Sequence, residues 1–155
     1  LVQCIGVDPE RYDRVTGFYE RLWWRPLDAP LPRDKDGLDL RVNPGYAGRL
    51  DEIRDDGETL SEIDPRSNAD RPAMVLGIEV TRYNHRRKEG YFDPIPSLFG
   101  PTMEYTLGVL PFSRKAVVIE VQSRMLPVAN EFRSGMYEVD AHWVLVPFDP
   151  LQSML

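Results

Sequence analysis

The feature that most constrains the fold of this chain is a two-residue alternation of apolar and polar side chains between Met74 and Phe148. Only a half-buried β-strand satisfies that period, because successive side chains of a strand point to opposite faces of the sheet. The alternation recurs in four segments, at residues 74–81, 103–109, 117–121 and 137–145. One apolar and one polar face is typical of an antiparallel sheet covered on one side. We therefore predict an antiparallel sheet of four to five strands.

An amphipathic helix is predicted ahead of these strands, over residues 9–24. Asp8 suits the N-cap position and Pro9 the first helical position. Pro26 ends the helix, because proline disfavours helical geometry in the residue before it. Apolar side chains recur between these limits at three- and four-residue spacing, at Tyr12, Val15, Tyr19, Leu22 and Trp23. We expect this helix to cover the apolar face of the sheet, giving a single α+β domain over residues 1–155.

Residues 25–72 follow neither period and are rich in proline and aspartate. A segment with so little apolar periodicity has few means to bury itself. In a compact domain, such a stretch is disordered, functional, or ordered by the surface of another molecule. We predict an extended irregular arm here, within which Leu50 and Ile53 could form a single helical turn.

A second extension is predicted at residues 84–102, as a projecting loop with a basic tip and aromatic side chains further along. Aromatic residues and arginine are enriched at protein interfaces, so we interpret this loop as a contact with a partner. Trp24 is a further candidate anchor, provided that its indole is exposed beside the arm. The predicted partner-binding residues are Trp24, His85, Arg86, Arg87, Lys88, Tyr91 and Phe92.

Charge and cysteine content restrict the partners and the compartment. The formal net charge of −6 repels nucleic acid and anionic membrane surfaces. A single cysteine, Cys4, excludes an internal disulfide and a cysteine-based zinc site. No run approaches the roughly 18 apolar residues of a membrane span. We predict a cytoplasmic or virion protein that does not use a disulfide-forming secretion route, with other protein subunits as partners and nucleic acid unlikely as one.

The polar face of the predicted sheet gathers carboxylates and one imidazole. Like charges at this spacing repel one another unless a cation lies between them. Three interpretations stay open: a solvated face, a contact with another subunit, and a metal or acid–base site. The residues concerned are Glu79, Glu104, Glu120, Glu138, Asp140 and His142. We predict no cofactor, no metal and no catalytic residue.

One stretch resembles a known family. The run from Tyr105 to Pro111, followed by Val118 to Val121, resembles the C-terminal signature of the RidA enamine/imine deaminases. The chain departs from that family where Thr102 and Met103 replace its arginine, and the family's opening strands are missing. The resemblance covers about 20 residues, and we assign no family from it.

These observations favour a non-enzymatic structural subunit of a larger protein assembly. Small tail, neck or baseplate proteins of a bacteriophage virion are similar in kind, by analogy and not by any motif. The alternative hypothesis is a homo-oligomeric small-molecule-binding protein or enzyme, with a pocket between helix and sheet or between subunits. Its polar groups would be Tyr12, Tyr105, Tyr137 and Glu104.

Overall fold

The computed structural model describes residues 2–26, 49–82, 84–86, 92–93, 104–109 and 122–154. Within them, helices and strands are mixed along the chain, which confirms the α+β class. The elements are β1 (Gln3–Val7), α1 (Pro9–Thr16), α2 (Phe18–Arg21), α3 (Leu50–Thr59), β2 (Ser61–Ile63), β3 (Asp70–Pro72), β4 (Met74–Gly77), β5 (His85–Arg86), β6 (Phe92–Asp93), β7 (Glu104–Val109), β8 (Gln122–Phe132), α4 (Tyr137–His142), β9 (Trp143–Pro147) and α5 (Phe148–Gln152).

The main sheet has five strands in the order β1-β9-β4-β8-β7. The predicted antiparallel sheet is wrong, because two of its four neighbouring pairs are parallel. β1 runs parallel to β9, with Ile5 opposite Leu145, and β4 runs parallel to β8, with Leu76 opposite Glu131. The pairs β4–β9 and β8–β7 are antiparallel. The sheet is therefore mixed, with β4 in its centre.

Apolar side chains are buried on both faces of the sheet, not on one. In β4, Met74 and Leu76 pack into one apolar cluster, while Val75 between them packs into another. In β9, Val144 and Val146 join the first cluster and Leu145 the second. Strands that are buried on both sides lose their polar face and read as continuous apolar runs. The one-faced sheet predicted from the alternation is therefore incorrect at its centre.

β8 is an eleven-residue strand between the predicted strands at residues 117–121 and 137–145, where no strand was predicted. Residues 117–121 themselves lie outside the described part of the chain. Pro127 favoured a loop, because proline cannot donate a hydrogen bond to a neighbouring strand. In the structure Pro127 is buried and lies opposite Glu104 of β7. On its other side, the described ladder between β8 and β4 begins only at Val128, opposite Met74. Pro127 precedes that ladder, so its missing N–H costs no hydrogen bond to β4.

Residues 137–142 form α4, although their alternation predicted the fourth strand. Buried Asp140 holds the helix through two contacts with the preceding turn and one with a distant segment. Its carboxylate accepts hydrogen bonds from the backbone N–H of Ser134 at 2.6 Å and of Gly135 at 3.2 Å. Its backbone carbonyl accepts one from the N–H of Glu79 at 2.9 Å. The strand begins only at Trp143, so the prediction was correct for the last part of this segment and wrong for the first.

Gly77, the last residue of β4, allows α4 to approach the sheet, and its replacement gives a first prediction. A Cβ atom at position 77 would overlap the backbone carbonyl of Asp140. Because backbone moves less readily than a side chain, we expect Gly77→Ala to lower the free energy of unfolding by about 3 kcal/mol, measured by chemical denaturation. Gly6→Ala is the matched control, since its Cβ would meet the flexible end of Leu151 at 3.0 Å. Equal losses in both variants would contradict this account.

The predicted N-terminal helix is interrupted. α1 begins as expected, with the Asp8 carboxylate accepting from the backbone N–H of Arg11 at 3.0 Å. It ends at Gly17, which adopts a left-handed conformation (φ 62°) and donates to the carbonyl of Asp13 at 2.7 Å. The short α2 follows. The expectation that this helix covers the sheet is not confirmed, since α1 buries none of its residues and only Phe18 is buried in α2.

Part of the predicted irregular arm is ordered. Residues 50–59 form α3, which is longer than the single turn expected, and β2 and β3 pair as an antiparallel hairpin. Gly57, inside α3, weakens a helix by about 1 kcal/mol relative to alanine. Here it lets α3 approach β8, because a Cβ at this position would lie 2.7 Å from that of Asn130. Residues 27–48 of the arm lie outside the described part of the chain.

Candidate functional site

The candidate site is a surface built where the α1–α2 segment runs beside the end of β8. Leu22 forms an antiparallel bridge with Phe132. On either side of it, the backbone N–H of Trp23 donates to Glu131 at 2.7 Å and that of Arg133 donates to Arg21 at 2.9 Å. This pairing fixes Arg21 and Arg133 side by side. The result is two adjoining clefts that share Arg21 and Ser134 as lining residues.

The first, which we call the apolar cleft, has a volume of about 580 Å³. Its lining includes Tyr12, Val15, Phe18, Met136, Val139 and Trp143. Val15 is 86% exposed and Met136 59% exposed, and the next residue, Tyr137, is 64% exposed. The sequence placed Val15 in the buried stripe of one long helix. The break at Gly17 turns Phe18 and Leu22 into the core and leaves Val15 outside.

The second, which we call the arginine cleft, has a volume of about 410 Å³ and is lined by Arg21, Arg25, Arg133, Glu20 and Trp23 among others. Arg21 donates to the Ser134 carbonyl at 3.0 Å. The Arg133 guanidinium lies 5.5 Å from the ring centroid of Trp23. Three cations and one carboxylate thus line this cleft, in a protein whose net charge is −6.

Arg25 has one ion pair in this cleft, among the residues that the structure describes. It forms an ion pair with Glu20, at 2.9 Å between Nη1 and Oε2. Its Nε atom is buried and has no hydrogen-bond partner among the described residues. A buried donor without an acceptor costs free energy. The Arg25 side chain as a whole is 29% exposed, so part of it faces solvent.

An acidic patch adjoins both clefts. It consists of carboxylates on α1, α2 and α3, namely Glu10, Asp13, Glu20, Asp55 and Glu58. Burial raises the pKa of Tyr19, and the nearby carboxylates of Asp13, Glu58 and Glu10 raise it further. Burial likewise raises the pKa of Glu58; Arg54 opposes this, while Asp55, Asp13 and Glu20 add to it. Within this patch, Asp55 and Glu58 pair with Arg54, and Glu20 pairs with Arg25. Glu10 and Asp13 form no ion pair among the described residues.

Trp24, predicted as an exposed anchor, is instead a core residue with 3% exposure. Its indole N–H donates to Glu131 Oε2 at 2.8 Å, and Asn84 Nδ2 donates to Glu131 Oε1 at 2.9 Å. Glu131 itself is completely buried, and burial raises its pKa to about 8. Trp24 is therefore not exposed for docking. Its indole N–H instead donates to the buried carboxyl group of Glu131.

The other predicted partner-binding residues lie at the edge of the described chain. His85 and Arg86 form β5 and Phe92 begins β6, and the two strands pair antiparallel. The side chains of these three residues are outside the described set, as are Arg87, Lys88 and Tyr91 entirely. Their role in partner binding stays a prediction.

The carboxylates of the predicted polar face are not brought together. Glu104 in β7 pairs with Arg71, Asp140 binds the Ser134–Gly135 backbone, and exposed Glu138 lies on α4 with His142. Because residues 137–142 are helical, Glu138 and His142 share the exposed face of α4, where His142 Nδ1 lies 3.0 Å from the Glu138 carbonyl, while Asp140 is buried. No group of three potential metal ligands occurs among the described residues, and Glu120 lies outside them. Of the helices described, none is both long and apolar enough to cross a membrane.

Comparison of the chain with models of protein families, with curated proteins and with solved structures gives no match in any of the three. The functional interpretation therefore rests on the geometry of the clefts.

Sequence reasoning missed most of this surface. Gly17 was a usable signal, since an interior glycine marks a possible helix end. A helix that ends there no longer predicts that Val15 belongs to the buried stripe. No local pattern indicated that Arg21, Arg25 and Arg133 share a cleft. Their proximity follows from the bridge between Leu22 and Phe132, which are more than a hundred positions apart.

Proposed function

We propose that this chain is a non-enzymatic subunit of a larger protein assembly, and that the apolar cleft together with the arginine cleft is its docking surface. The observation that best supports this proposal is the clustering of exposed apolar side chains. Of the seven large hydrophobic residues exposed in the described chain, Val15 and Met136 line the apolar cleft and Tyr137 follows directly. Fully burying such a side chain is worth roughly 1.5–3 kcal/mol, so a patch of this kind marks a protein interface.

The composition of the surface also supports docking of a protein. Interfaces combine an apolar, aromatic centre with arginine and a polar rim. Tyr12, Phe18 and Trp143 supply the aromatic component beside Val15 and Met136. Arg21, Arg25 and Arg133 supply the cations next to it.

The four groups that the enzyme alternative required are divided in the described structure, although Tyr137 directly follows Met136 of the apolar cleft. Tyr12 lines the apolar cleft, whereas Tyr105 lines a separate cleft of about 290 Å³ beside Leu76 and Val144. Glu104 is held in an ion pair with Arg71. The assembly interpretation is therefore the better supported of the two.

The finer proposal, that the assembly is a bacteriophage virion, has its support in the sequence, in the long Pro- and Asp-rich segment and the basic loop. Mass spectrometry of purified virions tests it. Detection at fixed stoichiometry is expected, and absence from the particle overturns it.

The docking surface gives a second prediction. We expect Val15→Lys to remove the chain from its assembly. The Val15 side chain is 86% exposed in the isolated molecule, and the variant would place a charge where the partner packs against an apolar group. In an extract of the cells that naturally make the protein, the wild type should elute well above 17.9 kDa and the variant near that mass. Folding should be intact, since an exposed substitution changes stability by about 0.5 kcal/mol or less.

Ile63→Lys is the matched control. Ile63 is 55% exposed but lies on the β2–β3 hairpin, and neither cleft includes it. It should stay in the assembly. If the wild type elutes as a single chain, or if both variants leave the assembly equally, the proposed docking surface is wrong.

A further inference from the structure

Arg21 is the only charged residue among the described residues that line the apolar cleft. Its guanidinium donates to two backbone carbonyls, from Nε to Thr16 at 3.3 Å and from Nη1 to Ser134 at 3.0 Å. Both acceptors are neutral, so these bonds fix the position of the guanidinium without cancelling its charge. Nη2 has no hydrogen-bond partner among the described residues. The Arg21 side chain is exposed, so a docking segment can reach it.

The charge of Arg21 is not balanced by an ion pair with any described residue. Glu20, its neighbour in α2, pairs with Arg25 at 2.9 Å. Asp13 accepts the backbone N–H of Tyr19 at 2.7 Å. Glu10 lies in the first turn of α1, whereas Arg21 binds the carbonyl of the last residue of that helix. The apolar cleft therefore has a fixed positive charge where it meets the arginine cleft.

Tyr12 adds a second hydrogen-bond donor to the apolar cleft. Its ring packs edge-on against buried Phe18, with 5.7 Å between the ring centroids, and its hydroxyl has no hydrogen-bond partner among the described residues. Burial raises the pKa of Tyr12, and the nearby charge of Arg21 opposes this rise. The phenol is therefore protonated at neutral pH and lies close to the guanidinium. Both groups donate hydrogen bonds, which suits a carboxylate.

We propose that the partner segment docking in the apolar cleft presents an aspartate or glutamate side chain flanked by large apolar side chains, and that its carboxylate binds Arg21 and Tyr12. This inference rests on the proposed function and specifies the chemistry of its partner. The carboxylate accepts charge-assisted hydrogen bonds from the guanidinium and one from the phenol. The flanking apolar groups pack on Val15 and Met136, which are exposed in the isolated chain.

Other segments fit this cleft less well. A wholly apolar segment would remove water from the Arg21 charge and supply no partner for it, which costs free energy. A basic segment would be repelled by Arg21 and by the two further arginines of the neighbouring cleft. A carboxylate among apolar side chains avoids both costs.

The test begins with a library of random linear peptides, from which binders are selected on the purified and immobilised full chain. The enriched peptides should carry aspartate or glutamate beside large apolar residues. Fluorescence anisotropy then compares the best binder with its counterpart in which the acidic residue is replaced by its amide. The amide should bind roughly tenfold more weakly, because a hydrogen bond between charged groups is lost. The protein is the same in both measurements, so its folding does not affect this comparison.

Variants of the protein locate the contact. Arg21→Gln should bind the acidic peptide and its amide equally weakly, and Arg21→Lys should keep part of the preference because the charge remains. Arg66→Gln is the matched control, since Arg66 is exposed in the turn between β2 and β3 and lines neither cleft. It should retain the full preference. Circular dichroism and the thermal midpoint show whether each variant folds.

This inference is overturned if no peptide is enriched, if the enriched peptides show no preference for a carboxylate, or if the preference survives in Arg21→Gln. The cell-extract experiment judges the proposed function separately. A large, Val15-dependent assembly together with peptides that show no carboxylate preference means that the docking surface stands and the partner has a different chemistry. A wild type that elutes from the extract as a single chain means that the proposed function fails, and this inference with it.

Discussion

Asn130→Ala is expected to lower the free energy of unfolding by about 4 kcal/mol, a large part of the 5–15 kcal/mol that stabilises a typical domain. Asn130 is completely buried in β8, and its amide binds backbone groups of three segments. Oδ1 accepts from the N–H of Trp24 at 3.2 Å and of Glu131 at 2.7 Å. Nδ2 donates to the carbonyls of Trp24 at 2.8 Å and Ile53 at 3.0 Å.

Alanine removes all four bonds and leaves buried backbone groups without this partner, each at a cost of about 1–3 kcal/mol. Chemical denaturation monitored by tryptophan fluorescence measures the loss. Gln122→Ala is the control, an exposed polar side chain on the same strand that should change stability by about 0.5 kcal/mol or less. A loss below about 1 kcal/mol for Asn130→Ala would show that α3 and the Trp24 segment are not held by this amide.

Stability should fall as the pH rises through the neutral range, because of Glu131. Burial raises its pKa from 4.5 to about 8, and the hydrogen bonds from Trp24 and Asn84 only partly offset this. Between these two values the folded chain retains a proton that the unfolded chain has lost. The contribution of this group is therefore fully present below about pH 4.5 and is lost as the pH rises through about 8.

The expected size of this effect is roughly 5 kcal/mol. In Glu131→Gln, which is neutral at every pH, the corresponding part of the pH dependence should disappear. The measurement is the free energy of unfolding between about pH 4.5 and pH 9 for both proteins. Burial raises the pKa of Asp56 to about 6, and Glu52 and Glu62 add to this, so Asp56 has an effect of the same sign that should remain in the variant.

Glu138→Gln removes an exposed carboxyl group and should keep the pH profile of the wild type. Should Glu131→Gln be too unstable to purify, Glu131→Met offers a second neutral side chain of similar length. Identical pH profiles in the wild type and the neutral variants would show that Glu131 is ionised in the folded protein at neutral pH.

The residues of the predicted polar face show which parts of the structure a local sequence pattern can predict. The alternation at residues 103–109 predicted β7, which spans Glu104–Val109. It succeeded because one face of that edge strand is exposed to solvent, with Thr106 exposed and Leu107 buried. At residues 137–145 the same signal failed, because Asp140 anchors a helical turn through Ser134 and Gly135. Nothing in the alternation reports such a contact.

The sequence by itself determined the α+β class, the start of α1 at Asp8 and Pro9, and the strand character of β7. It determined β4 and β9 only in part, because residues 78–81 are not a strand and β9 begins at Trp143. These depend on capping and periodicity, which neighbouring residues set. Tertiary structure alone decided the parallel pairs, the burial of Pro127 in β8, and the Glu131–Trp24 bond across 107 positions. It also decided which arginines share a cleft. The physical reason is that a buried polar group or a strand direction is stabilised by partners distant in the chain, whose positions no local pattern encodes.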